Sequence, residues 1–171
     1  MPALNRRNFR IAVFQTIFEL EFRRNLSLAE ENAITQAKGS PTKKLAAQET
    51  EFDCQKILQK NLADLGLTCP QGLTGPQVEF GEALLEAVLT NYNQLKAEIQ
   101  RLAPDWPFSQ TACLDRSILL TGLAEIRFLP QFEIPTVVTL NEFVEIAKTY
   151  SDDSCRCFVN GVLNAAINQS K

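Results

Sequence analysis

Near the start of the chain, a cluster of arginines leads into a phenylalanine repeat, a combination that could hold single-stranded RNA. Arg7 and Arg10 run into Phe14, Phe18 and Phe22, spaced four residues apart along one side of a helix. Guanidinium groups pair with phosphates, and an aromatic ring offers a face to an unpaired base. A competing reading exists. A phenylalanine stripe at helical spacing is more often buried than used as a binding surface. On that ground Phe14 and Phe22 are assigned to the core.

Catalytic chemistry is poorly supplied. The chain has no histidine, so the usual acid–base, Ser-His-Asp and Cys-His arrangements cannot be built. It has no GxSxG elbow, no Walker-type phosphate loop and no GxGxxG turn. The carboxylate pair Asp152-Asp153 reads as charge placed at a helix start. The five cysteines (Cys54, Cys69, Cys113, Cys155 and Cys157) are odd in number and scattered, which suits a reducing compartment better than a disulfide framework. Cys155 and Cys157 point to different sides of a helix and do not form a chelating pair. The expectation is a non-enzyme with no cofactor and no metal.

The elements that would carry these residues all read as helices. The first covers residues 6–24, with Phe9, Val13, Thr16, Ile17 and Leu20 as its core face. A short helix over 26–38 follows, broken by Gly39-Ser40-Pro41. Residues 25–48 read as an insertion or mobile loop whose Lys43-Lys44 is solvated. A second helix spans 49–65, with Phe52, Ile57, Leu58, Leu62 and Leu65 apolar and Gly66 as its stop. Thr74 and Gln77 have capping-box spacing. The third helix runs from there to about Leu102 along a Leu85–Val88–Tyr92–Leu95–Ile99–Leu102 seam. Pro104 and Pro107 break the chain, with Trp106 plugging the junction. The fourth helix, Ser109–Leu129, is apolar on nearly every side and belongs in the middle of a bundle.

Two amphipathic helices close the chain. One starts at Pro135 and buries Val137, Leu140, Phe143, Val144 and Ala147. The other has Ser151 as N-cap, with Asp152 and Asp153 in its first turn. It buries Cys155, Phe158, Val159, Val162, Leu163 and Ala166. Gly161 inside it costs about 1 kcal/mol relative to alanine, which predicts a close backbone neighbour.

With 171 residues, 45% of them hydrophobic, the chain can bury a sizeable core. It reads as one domain over 1–171, with helical halves at about 1–103 and 104–171. A formal net charge of −3 argues against nonspecific coating of nucleic acid. RNA binding would come from a local basic patch helped by a partner. Nothing resembles a signal peptide or a membrane span, so a cytoplasmic location and no membrane contact are expected.

Several tracts, in order, resemble the NusB transcription antitermination family. They are Asn5-Arg6-Arg7-Asn8-Phe9-Arg10 with Gln15, Asp105-Trp106-Pro107, Leu114-Asp115-Arg116-Ser117-Ile118-Leu119, Ile134-Pro135 with Val138, Asn141-Glu142, Val144-Glu145 and Ala147-Lys148, and Phe158-Val159-Asn160-Gly161-Val162-Leu163. The resemblance covers most of the chain outside residues 25–48. It implies an all-α fold of two packed three-helix bundles. It also implies binding of boxA-type RNA together with NusE, a small-subunit ribosomal protein, within an RNA polymerase complex that holds other Nus factors and supports rRNA transcription.

By that resemblance Arg6, Arg7 and Arg10 meet phosphates and bases, and Phe18 and Phe158 offer stacking or packing surface. Asn160 hydrogen-bonds there or serves a helix contact. Asp115 and Arg116 lie at the same junction or form a surface ion pair. The chain departs from the family pattern at Leu120, Ala124 and Cys157, the first and last standing where a basic residue is usual. Arg156 substitutes in part for Cys157, from about 100° around the helix. Two other readings are a protein-interaction scaffold with little RNA binding and the NusB-like domain of an rRNA cytosine methyltransferase. The stand-alone factor is preferred because the chain ends soon after Leu163. Monomer and homodimer are both left open.

Overall fold

A computed structural model describes residues 5–37, 54–67 and 75–169, with the backbone alone described over 27–37. Among these residues the fold is all-α: α1 (Arg6–Ala37), α2 (Cys54–Asp64), α3 (Pro76–Thr90), α4 (Tyr92–Leu102), α5 (Cys113–Phe128), α6 (Thr136–Tyr150) and α7 (Asp153–Asn168), with one 3-10 turn at Pro130–Phe132.

The most apolar helix lies at the centre, as its sequence requires. Every residue of α5 from Arg116 to Glu125 is buried, and the helix packs against α1, α3, α4, α6 and α7. On one side α1 gathers α2 and α3; on the other α6 and α7 pack on each other and on α5. Gly122 permits the close approach there, since a Cβ at that position would lie 3.1 Å from both Leu163 and Phe143. The carbonyls at the end of α2 are closed by Gly66 in the left-handed region (φ 75°), with the Leu67 N–H donating to Leu62 O at 2.9 Å.

Several sequence expectations are corrected. The first helix does not end near residue 24, with a second short one after it: α1 runs on through Ala37, because 25–37 holds no glycine or proline. The third helix is interrupted at Asn91, where the backbone leaves helical geometry (φ −106°, ψ 18°) and the side-chain amide donates to Ala87 O at 2.9 Å. The cap of α7 is Asp152, not Ser151; its Oδ1 accepts from the Cys155 N–H at 2.8 Å. The buried face of α6 is Thr139, Phe143, Ile146 and Ala147, which leaves Val137 exposed. Nothing lies within 4 Å of a Cβ built on Gly161, so no backbone packs there. Phe22, expected in the core, is 50% exposed, and Trp106, expected to plug the junction, is 65% exposed. Leu120 and Ala124 are both fully buried, so these departures lie in the core. Gly39-Ser40-Pro41, Lys43-Lys44, Phe52, Cys69 and Thr74 lie outside the described residues.

Candidate nucleic-acid interface

The basic residues gather where α1 begins. Asn5 caps the helix, its Oδ1 accepting from the Asn8 N–H at 2.9 Å. The Arg6 guanidinium lies over two rings, 5.5 Å from the centroid of Phe80 on α3 and 5.7 Å from that of Phe132. Those rings meet edge to face, 5.3 Å apart. Arg6 Nη1 also donates to Phe132 O at 3.4 Å. An arginine so held keeps its planar fork oriented at little further entropic cost. Arg7 remains 42% exposed on its side chain and lies 3.6 Å from Glu142 of α6.

Arg10 departs from the expected role. Its side chain is only 4% exposed. Its Nε and Nη2 donate to the two carboxylate oxygens of Glu125 at 2.8 and 2.6 Å. Thr139 completes the carboxylate, donating its hydroxyl at 2.7 Å. The guanidinium also packs over Phe80, 5.2 Å from the centroid. Arg10 is therefore a buried pin joining α1 to α3, α5 and α6, and does not face an incoming phosphate.

A second group forms at the start of α5. Phe18 is half-buried and stacks on Phe22 with centroids 6.1 Å apart. The Cys113 thiol donates to the Phe18 carbonyl at 3.8 Å. Arg116, read from sequence as interface or surface ion pair, is buried: its Nε is 3.4 Å from Glu21, its Nη1 donates to Phe108 O at 3.3 Å, and its plane covers the Phe108 ring at 5.3 Å. Glu21 also accepts from the Tyr92 hydroxyl at 2.7 Å. Burial, reinforced by that hydrogen bond, pushes the Tyr92 phenol up to about 12.

Asp115 stands beside Cys155 of α7. Burial first, then the hydrogen bond with Asp115, raises the Cys155 thiol to about 12. Phe158 is half-buried against Trp106, with centroids 6.2 Å apart and planes tilted by 59°. Arg156 pairs with Asp153 at 3.3 Å, while Asn160 and Cys157 are exposed.

The expected site residues thus form separate groups rather than one pocket, with Arg156, Phe158 and Asn160 on α7. Arg6, Arg7 and Arg10 mark one end of α1, and Phe18 lies about 12–18 Å further along it. The α5 start gathers Phe18, Asp115 and Arg116. Sequence reasoning missed Phe80, Phe132, Glu125 and Thr139 as supports of the basic end. Only Glu125 carried a signal: one carboxylate in an otherwise apolar helix centre must find a partner. Among the described residues, no helix is long and apolar enough to cross a membrane.

Comparison with known proteins adds to this geometry. The model of the NusB family matches residues 7–168. The transcription antitermination protein NusB of Bacillus mycoides is 38% identical over 86 residues, covering 50% of this chain and 65% of that protein. Its counterpart from a Cyanothece species is 42% identical over 89 residues, covering 52% and 41%. The chain thus spans less than two thirds of the length of these curated relatives. Among solved structures, T. maritima NusB superposes with a TM-score of 0.69 at 24% identity, over 96% of this chain and 92% of that one. A complex of the antitermination factors NusB and NusE with dsRNA contains a chain matching at TM-score 0.63 and 16% identity, over 97% of both. At these identities the structural likeness is one of fold.

Proposed function

The chain belongs to the NusB family, and from that premise we propose that it is a transcription antitermination factor that binds boxA-type single-stranded RNA together with NusE. In this reading it acts in the cytoplasm, joins RNA polymerase and other Nus factors, and supports rRNA transcription. The observation that carries the reading is the start of α1. Arg6, held over Phe80 and Phe132, and the half-exposed Arg7 present cationic edges on an otherwise mildly acidic protein. Arg6 and Arg7 take phosphates; Phe18 at the α5 junction and Phe158 beside Trp106 take base faces. Asn160 and Arg156 contribute polar contacts from α7. Arg10 acts through position, fixing the helix that carries Arg6 and Arg7.

Two available cations make a small patch, so affinity for RNA alone should be modest and a protein partner should add contact surface. The test is binding of a boxA-containing oligonucleotide and a scrambled control, with and without NusE, across a salt series. Preference for boxA that sharpens with NusE supports the reading. Equal and weak binding of both RNAs with NusE present overturns it.

A second reading is a NusB-like scaffold that binds protein and little RNA. It is favoured by the loss of Arg10 and Arg116 to buried ion pairs and by Cys157 in place of a basic residue. RNA binding that falls steeply with salt and disappears in Arg6→Ala/Arg7→Ala excludes it.

A further inference from the structure

The two carboxylates at the basic end of α1 are treated very differently by the fold. Glu125 accepts from Arg10 Nε, Arg10 Nη2 and the Thr139 hydroxyl, all between 2.6 and 2.8 Å. Glu142 has no such set. Its Oε1 is 3.6 Å from Arg7 Nη1 and its Oε2 is 3.8 Å from Arg10 Nη1. Both separations are too long for hydrogen bonds. Oε2 is buried without a hydrogen-bond partner, and the side chain as a whole is 25% exposed. A partly desolvated carboxylate held only by charge contributes little stability. It nevertheless places a negative charge directly beside Arg7, whose side chain is partly exposed.

We propose that Glu142 is a resident competitor for Arg7, one that an RNA phosphate must displace and that weakens RNA binding by this chain. The proposal rests on the RNA-binding reading above and assigns to Glu142 the control of its strength. The chemistry is an exchange of ion pairs. The Arg7 guanidinium leaves a long, hydrogen-bond-free contact with Glu142 and forms short, charge-assisted hydrogen bonds with a phosphate. The released carboxylate stays on α6, within a Debye length of the phosphate, and repels it. Both effects lower affinity. A role in holding Arg7 ready is disfavoured by the geometry, because a contact without hydrogen bonds does not fix the plane of a guanidinium. Glu142 is also not needed to pair Arg10, whose fork is already taken by Glu125.

The test uses the full chain and a fluorescent boxA-containing RNA oligonucleotide, with affinity read by anisotropy over a salt series. Wild type, Glu142→Gln, Arg7→Ala and the double variant are compared. Glu142→Gln should bind about three- to tenfold tighter near 50 mM salt, with the gain shrinking as salt rises. Its log–log salt slope should steepen by up to about 0.7, the increment for one net charge added to the patch that meets a single strand. A purely structural role would not move that slope. In the Arg7→Ala background the same substitution should change nothing.

Equal or weaker binding by Glu142→Gln, when wild type binds, overturns the proposal and leaves the RNA reading standing. A gain that persists without Arg7 also overturns it. Absence of RNA binding by every variant and by wild type removes both. Should Glu142→Gln fail to fold, Glu142→Asp withdraws the charge by one methylene and carries the same sign of effect at smaller size; no gain there overturns the proposal as well.

Discussion

Replacing Arg10 with methionine should cripple the fold before it touches RNA. The substitution keeps an unbranched apolar stem over Phe80 and removes the guanidinium. Glu125, which the structure buries between α1, α5 and α6, is then left with only the Thr139 hydroxyl as donor. Breaking one side of a buried pair costs about 3–5 kcal/mol, because the remaining charge loses its compensation. Set against the roughly 5–15 kcal/mol that holds a domain together, that is a large share. With a urea m-value near 2 kcal/mol/M, the midpoint should fall by about 1.5–2.5 M. Arg10→Met/Glu125→Leu should recover most of the loss, short of about 1–3 kcal/mol for the orphaned Thr139 hydroxyl. Adding Thr139→Val should recover that remainder. The assay is equilibrium urea unfolding of the four proteins followed by circular dichroism. A loss under about 1 kcal/mol in Arg10→Met, with RNA affinity sharply reduced in the still-folded protein, would refute the reasoning and return Arg10 to the RNA surface.

Three further outcomes follow from the same geometry. Leu120→Arg places a charge at a fully buried position; the variant should be unfolded or molten by near-UV circular dichroism, and a native spectrum would contradict the burial. Stability should fall as pH rises from 9 toward 12. The unfolded chain loses the Cys155 proton near 9 and the Tyr92 proton near 10, whereas the fold holds both to about 12, so their stabilisation is complete below those lower values and lost across the window. Tyr92→Phe should flatten part of that decline in alkaline urea titrations; an unchanged slope would remove Tyr92 as a contributor. Trp106→Ala should leave the unfolding midpoint nearly unchanged, since the indole is mostly exposed. If Trp106 and Phe158 together form a base platform, the substitution should weaken RNA binding by about 1–3 kcal/mol, read by the same anisotropy assay.

The central helix was readable because its signal needs no partner. A segment apolar on all sides can only be surrounded, and α5 is surrounded. Helix ends were less readable, because caps compete locally. Ser151 and Asp152 are both good N-cap types, and the one used is Asp152, whose oxygen reaches the Cys155 N–H. The Phe14–Phe18–Phe22 stripe shows a different limit. Its period is perfect, yet burial depends on how far the neighbouring helix extends. Phe14 is buried and meets Tyr150 edge-on, Phe18 sits level with the first residue of α5, and Phe22, one turn further on, overhangs it. Periodicity states which side faces inward and says nothing of where the cover stops.

The arginines expose the deeper reason why sites are harder to read than folds. Arg6, Arg7 and Arg10 are chemically identical and lie within five residues of sequence. Their roles differ only through residues remote in the chain. Phe80 and Phe132 back the first, Glu142 loosely opposes the second, and Glu125 with Thr139 locks the third. Arg10 shares with Arg6 the helix face over Phe80, yet it reaches a carboxylate 115 positions away, and no local pattern records that distance. What a sequence does record is the inconsistency such a contact leaves behind. Glu125 breaks an apolar run and demands a buried cation, and a long helix starting with three arginines is the obvious donor. Pairing unexplained buried charges across helices before assigning any cation to a ligand would have moved Arg10 from the RNA to the core, leaving a patch whose strength depends on how firmly Glu142 holds Arg7.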